Sequence, residues 1–312
     1  MFRVRGCRRY VCIAWHMDIQ LLSAGDRELF SRYVSPIARP VSDMSFANLL
    51  MWRDVYDIRW GEWDNHLCVF SIGGEEPSLF FPPIGNGSPA RALDACREVI
   101  RTCGHHRLAI EIVREEELDY LPGATLTPRS GDYVYETSRL ISLEGRALSH
   151  KRQNRNAFVR KNPGIRIEPY RASLHRDACV ELLERWNHRD SDDPEQEVCI
   201  KRKQETAAAT CLLDFSEELA LPGIVLFVGD QLIGVTIGES LTPDTFVSII
   251  EKTDRQFAYS AQYIFSEFCA RCWSHTKWCN ACDDWEVPGL AHAKQSYDPA
   301  FRIPKWRAIL PP

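Results

Sequence analysis

The chain has 312 residues, 45% of them hydrophobic and 26% charged, with a formal net charge of −5. That length suits two domains and the composition is that of a globular protein, while the negative balance excludes a general nucleic-acid coat and leaves any polyanion binding local. No apolar run is long enough to cross a bilayer, so membrane contact is expected only at the periphery.

Residues 1–16, MFRVRGCRRYVCIAWH, are basic and lack both the long apolar core and the small-residue cleavage site of a signal peptide. They read as a disordered arm or an upstream start and are left out of the fold. Helical spacing follows at 24–34 and 46–56. Strands are predicted at 67–72 and 79–81, parted by the turn at 73–77, and Pro82-Pro83 stops the second because proline cannot donate to a ladder. Residues 88–103 space Ala92, Ala95, Val99 and Ile100 as one helix face, with Pro89 suited to its first turn. A strand at 108–113 and a short acidic helix complete the first half.

The second half opens with Tyr133-Val134-Tyr135 and a basic segment at 145–163. A helix at 176–188, a polar stretch at 189–197 and a helix to about 215 come next. Three strands at 224–228, 232–238 and 245–251 are joined by the hairpin turns Gly229-Asp230 and 241–244. A helix at 258–273 and strands at 277–280 and 301–310 end the chain. This order describes a mixed α/β layer fold, and its similarity between halves points to two related domains.

Of the twelve cysteines, Cys68, Cys96, Cys179 and Cys211 sit singly in apolar contexts, as expected in a reducing cytoplasm. Two Cys-x-x-Cys pairs, Cys269/Cys272 and Cys279/Cys282, flank His275. The six-residue gap is short and no glycine follows either pair, so packing is favoured over zinc and no metal is expected.

The chemistry-bearing residues gather near the end. Glu251 closes the third strand, Asp284 follows the next, and Lys294 lies in a small, apolar turn before Tyr297. A lone ammonium beside carboxylates at strand ends suits acyl transfer: Lys294 would stabilise an oxyanion, and Glu251 or Asp284 would steer the nucleophile. Each has a plainer alternative, as a surface ion pair or a helix cap. The segment GRALSHKRQNRNAFVRKNP at 145–163 places Lys151 and Arg155 on one helical face, with Arg152 beside them. It is either a solvated helix bridging two domains or a track for phosphates.

Several stretches together resemble the soluble C-terminal part of phosphatidylglycerol lysyltransferases, a tandem GNAT-fold family: FANLLMWRDVY at 46–56, FPPIG at 81–85, DYVY at 132–135, LEG at 143–145, IGE at 237–239, Glu251-Lys252 and KQSYDP at 294–299. The resemblance implies a first GNAT-like domain at 17–143, a basic connecting helix at 144–163 and a second GNAT-like domain at 164–312 carrying the active centre. It implies an aminoacyl transferase that moves an amino acid from aminoacyl-tRNA to a hydroxyl or amine, such as an anionic phospholipid headgroup. Lys151, Arg152 and Arg155 would hold tRNA phosphates, Tyr297 would donate a hydrogen bond, and no cofactor would be needed. The setting would be cytoplasmic or peripheral at the inner membrane face. Two other readings stay open: an acyl-CoA-dependent N-acyltransferase, and a non-catalytic RNA- or lipid-binding relative. Against acyl-CoA, DRQFAYSA at 254–261 has no glycine where a pyrophosphate cradle is expected.

Overall fold

The computed structural model describes residues 19–74, 76–86, 88–189 and 196–311; residues 1–16 and much of the polar stretch at 189–197 lie outside the described residues. The first half comprises β1 (Gln20–Leu21), α1 (Arg27–Val34), α2 (Phe46–Tyr56), β2 (Ile58–Trp63), β3 (His66–Ser71), β4 (Ser78–Leu79), β5 (Ile84–Gly85), α3 (Pro89–Thr102), β6 (Ala109–Val113) and β7 (Thr125–Glu136). Two helices, α4 (Thr137–Ser142) and α5 (Ser149–Lys161), lead into the second half. There follow β8 (Ile165–Pro169), α6 (Ala172–Arg189), α7 (Gln196–Phe215), β9 (Gly223–Val228), β10 (Gln231–Thr242) and β11 (Thr245–Thr253). The chain ends with α8 (Ser260–Cys272), β12 (Trp278–Asn280), α9 (Pro288–Gln295) and β13 (Phe301–Ile309).

All the strands join one sheet, ordered β1-β2-β3-β4-β6-β13-β7-β12-β11-β10-β9-β8, with β5 paired to β3. The mixed α/β class read from the sequence is the one observed. The last strand of the chain enters between two first-half strands, antiparallel to β6 and β7, and β7 in turn pairs with β12. The two halves are therefore continuous through the middle of the sheet. Gly131 permits this crossing, because a Cβ there would run into the carbonyl oxygen of Ile303.

Local sequence explains the elements around this seam. Ser45 caps α2 by accepting from Asn48 N, and Asp57 ends the helix in the left-handed conformation at φ 45°. The same N-terminus is gripped from the other half. Glu239 of β10, itself buried, accepts from Ser45 Oγ at 2.7 Å, Ala47 N at 3.0 Å and Arg27 at 3.1 Å. The carboxylate satisfies donors that the helix start leaves open and also meets its positive dipole end. Leu49, Leu50 and Met51 of α2 then pack in a core shared with Leu212 and Leu213 of α7.

The basic helix α5 is docked rather than free. Phe158 is buried and stacks toward Tyr263 of α8 at 5.1 Å, while Arg152 donates to Leu143 O and Arg155 to Ile141 O and Ser266 Oγ. Among the described residues no helix is long and apolar enough to cross a membrane.

Candidate active site

β12 runs parallel to β11 only where residues 245–247 face 278–280. Past Val247, β11 continues to Thr253 against β10. The chain after Asn280 instead stays with β7, Ala281 N donating to Tyr133 O and Tyr133 N to Cys282 O. The two strands thus part, and a cavity of about 960 Å³ opens between them.

The parting removes the ladder donor that Ala281 O would otherwise have, and an unpaired inward carbonyl is costly. Lys294 of α9 supplies the replacement: its Nζ lies 2.5 Å from Ala281 O and also donates to the carbonyl of Asp283. The backbone carbonyl of Lys294 accepts from Tyr135 Oη at 2.9 Å, which holds α9 against the sheet. The ammonium therefore sits on the cavity wall, with two of its three N–H groups committed to backbone oxygens.

Glu251 lies on the splayed end of β11 and also lines the cavity. Burial pushes its carboxyl up to about 7, against the opposing pull of Lys294, Lys151 and Lys252. A carboxyl poised near neutrality, with cations nearby but no carboxylate–ammonium contact of its own among the described residues, can take and return a proton. Lys151 reaches the cavity from α5 and rests its Nζ 4.1 Å from the centre of the Tyr297 ring. Burial lowers its pKa, and Glu251 opposes that shift. Tyr297 packs edge-on against Tyr135 and Phe265, and burial holds its hydroxyl well above the ordinary range.

Four of the sequence-predicted residues, Glu251, Lys294, Lys151 and Tyr297, thus share one cavity; the other three do not reach it. Asp284 is buried behind the wall, accepting from Tyr133 Oη at 2.6 Å and from Glu286 N at 3.0 Å. Burial works against its charge, yet the hydrogen bonds from Ser130 and Tyr133 keep its pKa below the usual carboxylate value. The member of the Asp283-Asp284 pair that lines the cavity is Asp283. Arg152 and Arg155 each donate to a carbonyl of residues 141–143, contacts that dock α5.

Sequence reasoning missed a fully buried charge. Lys305 of β13 has a side chain with no exposed surface, and its Nζ lies 2.7 Å from Asp43, 2.7 Å from Asp283 and 2.9 Å from Asp132. Burial alone would push this ammonium down, but the three carboxylates hold its pKa well above the ordinary lysine value. Asp132 is further held by Ser42 N at 2.6 Å, Ser42 Oγ at 2.9 Å and Asn280 Nδ2 at 2.8 Å. Burial pushes Asp43 up to about 6, with Lys305 pulling the other way. These three acids are the one group with metal-ligand spacing among the described residues, and an ammonium already bridges them. The cysteine pairs do not converge in this way.

The cavity also carries an aromatic wall. Trp52 stacks on Tyr56 at 5.3 Å and meets Trp285 edge-on at 5.6 Å. Trp285 and Leu290, both exposed, stand on the same lining. Before α8 three loop amides are paired within the loop, while the helix start itself has no side-chain cap. Gln256 N donates to Asp254 Oδ1 at 2.9 Å, Phe257 N to Asp254 O at 3.0 Å and Ser260 N to Phe257 O at 3.1 Å.

Comparison with known proteins gives a consistent picture. The family model described as phosphatidylglycerol lysyltransferase, C-terminal, matches residues 34–309. An uncharacterized protein of Mycoplasmoides gallisepticum is 24% identical over 181 residues, 57% of this chain and 55% of the relative, so the match spans about half of that relative's length. Among solved structures, a conserved protein of unknown function from Bacteroides thetaiotaomicron superposes with a TM-score of 0.85 at 25% identity, covering 95% of this chain and 100% of the other. The C-terminal domain of a putative lysylphosphatidylglycerol synthetase from Agrobacterium fabrum gives 0.65 at 14% identity over 93% of each chain. A tandem GNAT protein from the clavulanic acid biosynthesis pathway gives 0.51 at 12% identity, covering 95% and 99%. The expected tandem GNAT architecture is the one these likenesses show.

Proposed function

The chain belongs to the phosphatidylglycerol lysyltransferase C-terminal family, and from that premise we propose that it transfers an aminoacyl group from the ester of an aminoacyl-tRNA to a hydroxyl or amine acceptor. A phospholipid headgroup is the acceptor that best suits the exposed Trp285 and Leu290 at the cavity wall. The observation that carries the reading is Glu251, a cavity carboxyl pushed up to about 7 beside ammonium groups. The donor ester is already activated, so the protein needs chiefly to orient the partners, remove one proton and shield charge.

In this mechanism Glu251 takes the proton from the acceptor as its oxygen or nitrogen bonds to the ester carbonyl carbon. The free N–H of Lys294 points its charge at the oxygen that becomes negative. Because its carbonyl partners fix that ammonium in place, it needs little reorganisation when the charge develops. Phosphates of the donor would meet the exposed cations Arg146, Arg160 and Lys161 of the connecting segment, in place of Arg152 and Arg155. An acyl-CoA donor fits less well, since the segment 254–261 before α8 has no glycine and three of its amides are already paired within it.

The test is incubation of the purified protein with a radiolabelled aminoacyl-tRNA pool and phosphatidylglycerol vesicles. Label moving into the lipid fraction, and lost with Glu251→Gln, supports the reading. Label staying on tRNA with every aminoacyl species, with lipid or free amine acceptors, overturns it.

A further inference from the structure

The lysines on the cavity wall differ in what their ammonium groups hold. Lys252 is paired with Glu205 at 2.7 Å, and Lys294 is committed to two backbone carbonyls. Lys151 is neither. Among the described residues its ammonium makes no ion pair and no hydrogen bond; it is held instead over the face of Tyr297. A ring face orients a cation by attraction to its quadrupole without consuming N–H donors. Lys151 therefore presents a half-buried, positioned ammonium whose protons are open to the cavity, within electrostatic reach of Glu251.

We propose that Lys151 is the general acid of the transfer, giving its proton to the oxygen that leaves the aminoacyl ester. The inference rests on the acyl-transfer reading above and adds the group that this reading lacks. The acceptor's proton passes to the Glu251 carboxylate as the new bond to the carbonyl carbon forms. The carbon–oxygen bond to the ribose then breaks, and a proton from the Lys151 ammonium caps the departing oxygen. The neutral Lys151 amine next takes the proton held by Glu251, which restores both groups for another turnover. No oxidant or metal enters the balance. The lowered lysine pKa that burial produces favours this donation. The basic helix α5 thereby contributes to the reaction chamber through one residue, while its arginines dock the helix.

The experiment compares Lys151→Met and Lys151→Arg with the unmodified protein, using two donors of the same amino acid. One is the aminoacyl-tRNA, whose ribose oxygen leaves only with a proton; the other is the p-nitrophenyl ester, whose leaving group needs none. Both variants are expected to lose roughly 10²–10⁴-fold with the tRNA ester and far less with the nitrophenyl ester. Arginine keeps the charge but holds its proton too tightly to give it up, so Lys151→Arg separates proton donation from charge alone. Equal losses with both donors, or full activity of Lys151→Arg on the tRNA ester, would overturn the acid role. Absence of transfer from either donor by the unmodified protein would remove the transfer reading itself, and this inference with it.

Discussion

Replacing Lys305 with methionine isolates the charge at the middle of the shared sheet. Methionine keeps most of the side chain's length and leaves Asp43, Asp132 and Asp283 facing one another without their cation. Asp132 retains its three hydrogen bonds from Ser42 and Asn280, so Asp43 and Asp283 bear most of the loss. Removing one partner from a buried ionic cluster costs about 3–5 kcal/mol. At roughly 2–4 °C per kcal/mol for a chain of this size class, the expected fall in Tm is about 6–20 °C. The deficit has a definite pH dependence. Asp43 already has a folded pKa near 6, above its ordinary 3.8, and losing Lys305 removes the main influence holding it down. Such a group destabilises the fold increasingly as pH rises from its ordinary 3.8 to its folded pKa and not at all below 3.8, so the variant's deficit is larger at pH 8 than at pH 5. Scanning calorimetry of both proteins at the two pH values measures this. A Tm unchanged at pH 8, or a deficit that grows on acidification, would refute the assignment of Lys305 as the counter-charge of the cluster.

Three further outcomes are expected. Glu239→Ala strands the donors of Ser45, Ala47 and Arg27 and should lower stability in urea by about 2–4 kcal/mol, with Glu239→Gln losing less; equal stability of the alanine variant would mean that this cap does not couple the halves. The pair Arg160→Ala and Lys161→Ala should flatten the salt dependence of RNA binding by roughly one to two units of log–log slope. Arg155→Ala should lower Tm and leave that slope alone, as filter binding across a salt series would report. Glu251→Gln should raise Tm at pH 8, by up to about 3 kcal/mol of stability, because the folded pKa of about 7 lies above the ordinary 4.5. Below pH 4.5 that gain vanishes, since the unmodified carboxyl is then protonated in both states.

Much of the fold was legible because it rests on local patterns. The helix read at 88–103 is observed as Pro89–Thr102, and the one at 258–273 as Ser260–Cys272. The pattern failed where pairing outranked it. β7 spans Thr125–Glu136, yet its first five residues are exposed and include Pro128, so only Tyr133-Val134-Tyr135 carried a strand signal. Its ladder with β13 pairs it with residues far along the chain, from Phe301 opposite Val134 to Ile309 opposite Thr125. α9 reads as a turn in the sequence because it is short, carries Pro288 and Gly289 in its first turn and buries no residue. At the site, Glu251 stands out in the sequence as an acid at a strand end and Lys294 as a lone lysine in a small, apolar segment. The Lys305 cluster was not, since its four members come from Asp43, β7, the loop after β12 and β13. The neighbouring Asp283-Asp284 pair could not reveal which acid faces the cavity. That depends on the left-handed residues Cys282, Trp285 and Glu286 around them.

The base role of Glu251 is tested by the pH–rate profile of aminoacyl transfer by the unmodified protein and by Glu251→Gln. The rate is expected to rise as Glu251 deprotonates through about pH 7, and the variant to be slowed roughly 10²–10⁴-fold with that rise abolished. A Glu251→Gln protein that transfers at the unmodified rate, or that keeps the same pH rise, would contradict that role.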